Sequence, residues 1–247
     1  MPLPLAQMLI AQRAKRVLID SLPATLVPTH LADAYQVQTE TALALGPVGA
    51  WKVSPYPSSG EPMAAPIPAS TVFADKALLD AESYPAPGIE AEIAVTLSRD
   101  LPMRETPYGM ADISAAIGSV HLAIELLSSR FADPASLPAL VAVADLQNNA
   151  AVILGESRSA GDFPELGKQA LSMSVDGAEV GRADDGSSSD TVLRSLTWLA
   201  NHAAARGLAL KKGNVIITGA RIGALPLNGS SILVESEGFP PVSVTLR

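Results

Sequence analysis

Gly88-Ile89-Glu90-Ala91-Glu92-Ile93-Ala94-Val95-Thr96-Leu97 sets two glutamates in a run that is otherwise almost wholly apolar. A strand turns successive side chains to opposite faces, so Glu90 and Glu92 share one face and Ile89, Ala91 and Ile93 share the other. Two carboxylates side by side on a largely buried surface repel each other and lose hydration. A cation between them removes both penalties. A third acid, Glu125, lies in an equally apolar stretch, His121-Leu122-Ala123-Ile124-Glu125-Leu126-Leu127. Such a trio suits a hard divalent ion such as Mg²⁺ or Mn²⁺, which takes oxygen ligands. The same E-x-E spacing also occurs on solvated strand faces, and spacing alone leaves both readings open.

Outward from this stretch, the chain changes texture near Val48. Before it the pattern is helical. Residues 4–18 carry Leu5, Met8 and Leu9 on one stripe, and residues 31–45 form a second helix with Thr29 as its cap and Gly46 as its stop. After it, Gly and Pro punctuate short β-branched segments at 49–53, 70–73, 89–97, 120–127, 141–143, 151–154, 171–175, 215–218, 231–234 and 242–246. Two helices interrupt them, at 110–117 and at 190–205, the latter capped by Asp190 with Val192, Leu193, Leu196, Leu199, Ala200 and Ala203 as its core stripe. The polar run 182–189 reads as a loop or lid. Strands outnumber helices without alternating with them, which predicts an α+β fold with a rolled, mixed sheet. The expected organisation is an N-terminal helical segment, 1–47, followed by a β-rich catalytic domain, 48–247.

The chain has 247 residues, 48% of them hydrophobic and only 4% aromatic, so its core is built from Ala, Val, Leu and Ile. A net charge of −8 argues against sequence-independent nucleic-acid binding, which needs basic stripes. It does not argue against a small anion, since one bound metal ion reverses the local field. The lack of cysteine excludes disulfides, thiolate nucleophiles and Cys-ligated metal clusters. His30, His121 and His202 are far apart and show no metal-binding spacing. The apolar patch from Leu3 to Ile10 precedes its charges, the reverse of a signal peptide, and no apolar run reaches the ~20 residues needed to span a bilayer. A soluble cytoplasmic protein is expected.

Other residues carry candidate chemistry. Lys52, in the short apolar run Gly49-Ala50-Trp51-Lys52-Val53, is either a surface lysine or an acid/base group with a depressed pKa. Asp75 ends another apolar segment and is either a turn residue or an acid/base partner. Arg130 can pair with a substrate carboxylate or with a core acid, and Asp145 can cap a helix or accept hydrogen bonds behind a metal ligand. Gly213-Asn214-Val215-Ile216-Ile217-Thr218-Gly219-Ala220 reads as turn, strand, turn. Its glycines either bring backbone N–H groups to a ligand or close a sheet corner.

These segments also occur in a characteristic order. Ala34-Tyr35-Gln36-Val37-Gln38, Trp51-Lys52-Val53, Phe73-Ala74-Asp75, Ile89 to Ala94 with Arg99-Asp100-Leu101-Pro102, Ala123-Ile124-Glu125 with Ser129-Arg130, Val143-Ala144-Asp145, Thr197-Trp198-Leu199-Ala200 and Gly213 to Ala220 follow one another with plausible gaps. The set resembles the 2-keto-4-pentenoate hydratase/4-oxalocrotonate decarboxylase group of the fumarylacetoacetase superfamily, through most of the chain.

The resemblance implies a rolled β core with flanking helices and one Mg²⁺ or Mn²⁺ held by Glu90, Glu92 and Glu125. It makes Lys52 and Asp75 the acid/base candidates and places Arg130, Asp145, Thr218 and Gly219 at the substrate. The implied activity is addition of water to a 2-hydroxy-2,4-dienoate, giving a 4-hydroxy-2-oxo acid in aromatic catabolism. Alternatives are decarboxylation of a 2-oxo-enedioate, C–C hydrolysis, and a catalytically silent 2-oxo-acid binder or assembly subunit. The hydrolases use a His–Glu pair, and the only early histidine is His30. A homo-oligomer, or association with a pathway enzyme, is compatible with the Ala-rich helices. Four departures, at Ser54, at Leu146, over Ser187–Asp190 and at Pro240-Pro241, leave the glutamates standing and put the substrate tail in question.

Overall fold

Alternation along residues 88–97 sets the architecture. In the computed structural model of the chain, which describes residues 3–159 and 165–247, they form strand β5 (Gly88–Leu97). It pairs antiparallel along its length with β6 (Ile117–Leu127). Ile89, Ala91, Ile93 and Val95 are buried in the main core with Leu122, Ile124 and Leu126 of β6. Ala94 and Ala123, of the opposite parity, pack in a separate cluster with Ala50, Ile67, Val152, Val215 and Ile217. Glu90, Glu92 and Glu125 share that second face.

The first sheet runs in the order β2 (Ala64–Pro68), β1 (Val48–Val53), β11 (Val215–Pro226), β5, β6, β7 (Asn149–Leu154), β3 (Val72–Ala74), with β8 (Arg158–Ser159) also on β6. The β1–β11 and β3–β7 pairs are parallel in an otherwise antiparallel sheet. The sheet is rolled. Strands β1 and β6 stand three steps apart, about 14 Å in a flat sheet, yet Lys52 of β1 touches Glu125 of β6 at 2.7 Å. Small aliphatic side chains fill the inside of the roll, as the low aromatic content requires.

A second mixed sheet, in the order β10 (Ala178–Ala183), β9 (Leu171–Val175), β12 (Ser231–Glu235), β13 (Val242–Leu246), β4 (Ala77–Leu79), covers the outside. Its Met173, Ile232, Val234, Val242 and Val244 join the main core against β5 and β6. Helix α5 (Ser189–Ala205) buries Val192, Leu196, Leu199, Ala200 and Ala203, the stripe read from its periodicity, with Leu193 partly buried. Helices α1 (Pro4–Lys15), α2 (Leu31–Ala44) and α4 (Ala139–Ala144) share a smaller core built on Leu5, Leu9, Tyr35, Val37 and Val141. Among the described residues no helix is long and apolar enough to cross a membrane.

Several expectations need correction. Residues 141–143 are helical, not extended. Pro138 precedes the helix with an extended backbone, and Val141, Val143 and Ala144 face α1 and α2. A short apolar run fits either state, and the neighbouring helices decide it. Residues 70–73 begin as a 3₁₀ turn, with strand only from Val72, and the helix at 110 stops at Ser114 in α3 (Met110–Ser114). Strand β2, Ala-Ala-Pro-Ile-Pro, escapes a propensity reading because proline cannot donate to a ladder. It is tolerated here on the sheet edge. The caps are His30, whose N–H is accepted by Asp33, and Ser188, whose hydroxyl accepts the N–H of Thr191 at 3.2 Å. They are not Thr29 and Asp190. The segment 182–189 divides: Arg182 and Ala183 finish β10, and Ser189 already starts α5.

Ile93 has no solvent exposure, and shortening it leaves a cavity between the two sheets. Ile93→Ala is expected to cost about 3 kcal/mol, seen as a lower denaturant midpoint at unchanged slope.

Candidate metal centre

Register brings the glutamates together. Glu90 lies directly opposite Glu125 in the β5–β6 ladder, and Glu92 stands two residues further along the same face. Each offers one oxygen to a cluster in which all three lie within 4.8 Å of one another. Glu92 and Glu125 are 1% and 0% exposed, and Glu90 is half-buried at the start of its strand. Lys52 reaches across the roll and donates to both oxygens of Glu125, at 2.7 and 2.8 Å. Asn149, the first residue of β7, donates its side-chain amide to Glu125 Oε1 at 2.8 Å. The Gly219 N–H donates to Glu92 Oε2 at 2.7 Å. Gly219 has a φ of +104°, and a Cβ there would lie 2.6 Å from Pro55 Cδ, so only glycine fits this approach.

The electrostatics follow from burial. Removal from water, and then the charge of Glu125, raise the Glu90 carboxyl to about 7. The same two causes, in the same order, push Glu92 well above the ordinary carboxylate range. Burial alone would pull the Lys52 ammonium down, but the three carboxylates, Glu125 foremost, carry it above the usual lysine value. The expected depressed lysine is therefore corrected: in the metal-free protein Lys52 is a firmly held ammonium. With all three carboxylates ionised, as a bound cation would require, the trio and the ammonium together carry −2, and every donor atom of the trio is a hard oxygen. That donor set fits a hard divalent cation.

Of the other predicted residues, Gly219 meets the centre through Glu92, and the rest make other contacts. Asp75 does not join the centre. Its carboxylate accepts from the N–H and hydroxyl of Ser243, at 2.7 and 3.2 Å, and tethers the end of β3 to the second sheet. Its turn position at the end of an apolar strand explains it fully. Arg130 and Asp145 pair with each other, Nε to Oδ2 at 2.8 Å, with Arg13 on the other carboxylate oxygen at 3.2 Å. Thr218 gives its hydroxyl to the Ile93 carbonyl at 2.8 Å, and Gly219 serves Glu92.

Asn149 escaped the sequence reading. It lies three residues beyond the departure at Leu146. Leu146, Gln147 and Asn148 are all left-handed, with φ of 53°, 52° and 58°, and none is glycine. Such residues store strain of order 1 kcal/mol or more each, and here they turn the chain so that Asn149 meets Glu125. The Gln-Asn-Asn run before an apolar strand was the available signal, since Asn tolerates this conformation best.

Fold and centre together define a rolled-sheet protein with a buried three-carboxylate site. The chain belongs to the fumarylacetoacetate hydrolase C-terminal family, whose pattern matches residues 44–247. It is 29% identical over 161 residues to the 2-keto-4-pentenoate hydratase of Paraburkholderia phymatum, covering 65% of this chain and 60% of that protein. The Burkholderia vietnamiensis enzyme of the same name is 30% identical over 154 residues, covering 60% and 58%. The matched region thus spans about three fifths of the length of these relatives. In three dimensions the chain superposes on the 4-oxalocrotonate decarboxylase of Pseudomonas putida G7, solved with magnesium and adipate. The TM-score is 0.85, with 24% identity, over 99% of this chain and 97% of that one.

The raised Glu90 carboxyl has a definite sign. Its stabilisation is complete below the ordinary value near 4.5 and is lost as pH rises through about 7. Chelator-treated protein should therefore show a melting temperature that falls across this window. In Glu90→Gln the fall should be shallower.

Proposed function

We propose that the chain is a divalent-metal hydratase. It adds water to a 2-hydroxy-2,4-dienoate to give a 4-hydroxy-2-oxo acid, as a cytoplasmic step of aromatic catabolism. One observation carries the reading: three carboxylates, two of them fully buried, converge within 4.8 Å with an ammonium locked onto one of them. Such a centre has no structural role that apolar residues would not fill more cheaply. Glu90, Glu92 and Glu125 would hold Mg²⁺ or Mn²⁺. When bound, the ion supplies positive charge for the carboxylate and C2 oxygen of a 2-oxo or 2-enol acid and favours its enolate.

The chain's own groups supply the rest. Asn149 and Lys52 fix the Glu125 carboxylate, and the Gly219 N–H fixes that of Glu92, so the ligand set is rigid before anything binds. Lys52 Nζ holds the proton that ketonisation requires. It delivers that proton to the terminal carbon of the dienol and takes back the one released by the C2 hydroxyl, leaving a 2-oxo-3-enoate and the ammonium restored. Water then adds across the remaining double bond, its oxygen to C4 and its proton to C3. The apolar wall of Ala94, Ala123, Val152 and Ile217 below the acids keeps bulk water from that side. Asp75, bound to Ser243, has no part in this scheme.

The test is one purified sample assayed both for dienoate hydration and for CO₂ release from a 2-oxo-enedioate. Chelation is expected to abolish hydration, with Mg²⁺ or Mn²⁺ restoring it, and Glu125→Gln to stay inactive at any metal concentration. Lys52→Met should lower kcat by about 10²–10⁴-fold while Mn²⁺ still binds. Full activity of metal-free protein would overturn the reading. CO₂ release without hydration would move the chain to the decarboxylase alternative.

A further inference from the structure

A second feature of the chain lies outside the glutamate centre. A cleft of about 550 Å³ opens between the end of α1 and the β3–β7 edge, and none of the glutamates lines it. Its walls include Leu18, Phe73 and Tyr84, with Ser70 at the lip and Arg13 and Arg130 among its polar residues.

The charge there does not balance. Asp145, 0% exposed, sits between two guanidiniums whose side chains are only 12% and 10% exposed. Arg13 Nη2 donates to Asp145 Oδ1 at 3.2 Å and to the Asn149 carbonyl at 3.3 Å. Arg130 donates its backbone N–H and its Nε to Asp145 Oδ2, at 3.1 and 2.8 Å. Two buried cations thus share one buried anion. Arg13 Nε and Arg130 Nη2 are also buried with no hydrogen-bond partner among the described residues. Burial, then the charge of Arg130, lowers Arg13 to about 10, the direction expected where positive charge is in excess. An uncompensated buried charge is costly, and an anion beside the two guanidiniums relieves that penalty.

We propose that this cleft is a binding site for a small monocarboxylate with a short apolar tail. The carboxylate completes the Arg13–Asp145–Arg130 cluster and the tail lies against Leu18, Phe73 and Tyr84. The volume is in the range of small-molecule sites, ~300–1,000 Å³. The site is wired to the glutamate centre through one residue: Asn149 accepts from Arg13 with its carbonyl and donates to Glu125 with its side chain.

The proposal stands apart from the metal reading and is tested without metal. Chelator-treated full-length protein is titrated with hexanoate by calorimetry at low salt, where the acidic centre repels a carboxylate. One site per chain is expected, with hexanol, the neutral analogue, binding at least tenfold more weakly. Arg13→Gln should weaken hexanoate at least tenfold. Ser70→Trp, which touches neither ion pair and narrows the lip, should do the same and keeps the test valid if Arg13→Gln fails to fold. Absence of hexanoate binding, equal binding of hexanol, or unchanged binding in Ser70→Trp would each overturn the proposal.

Discussion

The contact between Lys52 and Glu125 is the constraint on which the rest depends. It spans three strand spacings and exists only because the sheet is rolled, so it links the local sequence of two distant strands to the global curvature. Neither partner tolerates loss of the other. A buried ion pair contributes little net stability against an apolar substitute, but removing one member leaves an unpaired charge inside the roll, at about 3–5 kcal/mol. The small residues around it, Ala50, Ala94 and Ala123, leave room for long polar side chains to cross the interior, where aromatic residues would have filled it.

Much of this was legible in the sequence. Period-two alternation over 88–97 placed Glu90 and Glu92 on one face, and the structure keeps them there. The β13 strand and the α5 stripe were equally plain, because long, strongly patterned segments leave few alternatives. What stayed hidden has a physical reason each time. β2 carries two prolines, α4 is too short to distinguish from a strand, and the turn that presents Asn149 uses left-handed residues that no glycine announces. Asp75 binds Ser243 of the second sheet, a contact that the segment ending at Asp75 does not announce. The ladder register that sets Glu90 opposite Glu125 is a property of two segments, and neither contains it alone.

The four departures fall unevenly on the structure. Ser54 closes a turn by accepting the Met63 N–H, and Leu146 is buried at the start of the strained turn. Ser188 caps α5, so the departing segment begins a helix. Phe239, beside Pro240, is buried under the Arg158 guanidinium at 5.1 Å. The glutamates and Lys52 lie outside all four, whereas Asn149 is presented by the turn that Leu146 begins. Ladder register sets the glutamates opposite one another, and the other three departures make none of these contacts.

The prolines of β2 bear on how copies of the chain meet. An edge strand offers a row of open N–H and C=O groups to any extended segment, which is how many β-rich proteins aggregate. Pro66 and Pro68 remove donors from this border and stiffen it. The border is covered as well: all of β2 is buried, and Gln38 of α2 donates to the Ala64 carbonyl at 3.1 Å, so growth of the first sheet by strand addition from another molecule is disfavoured there.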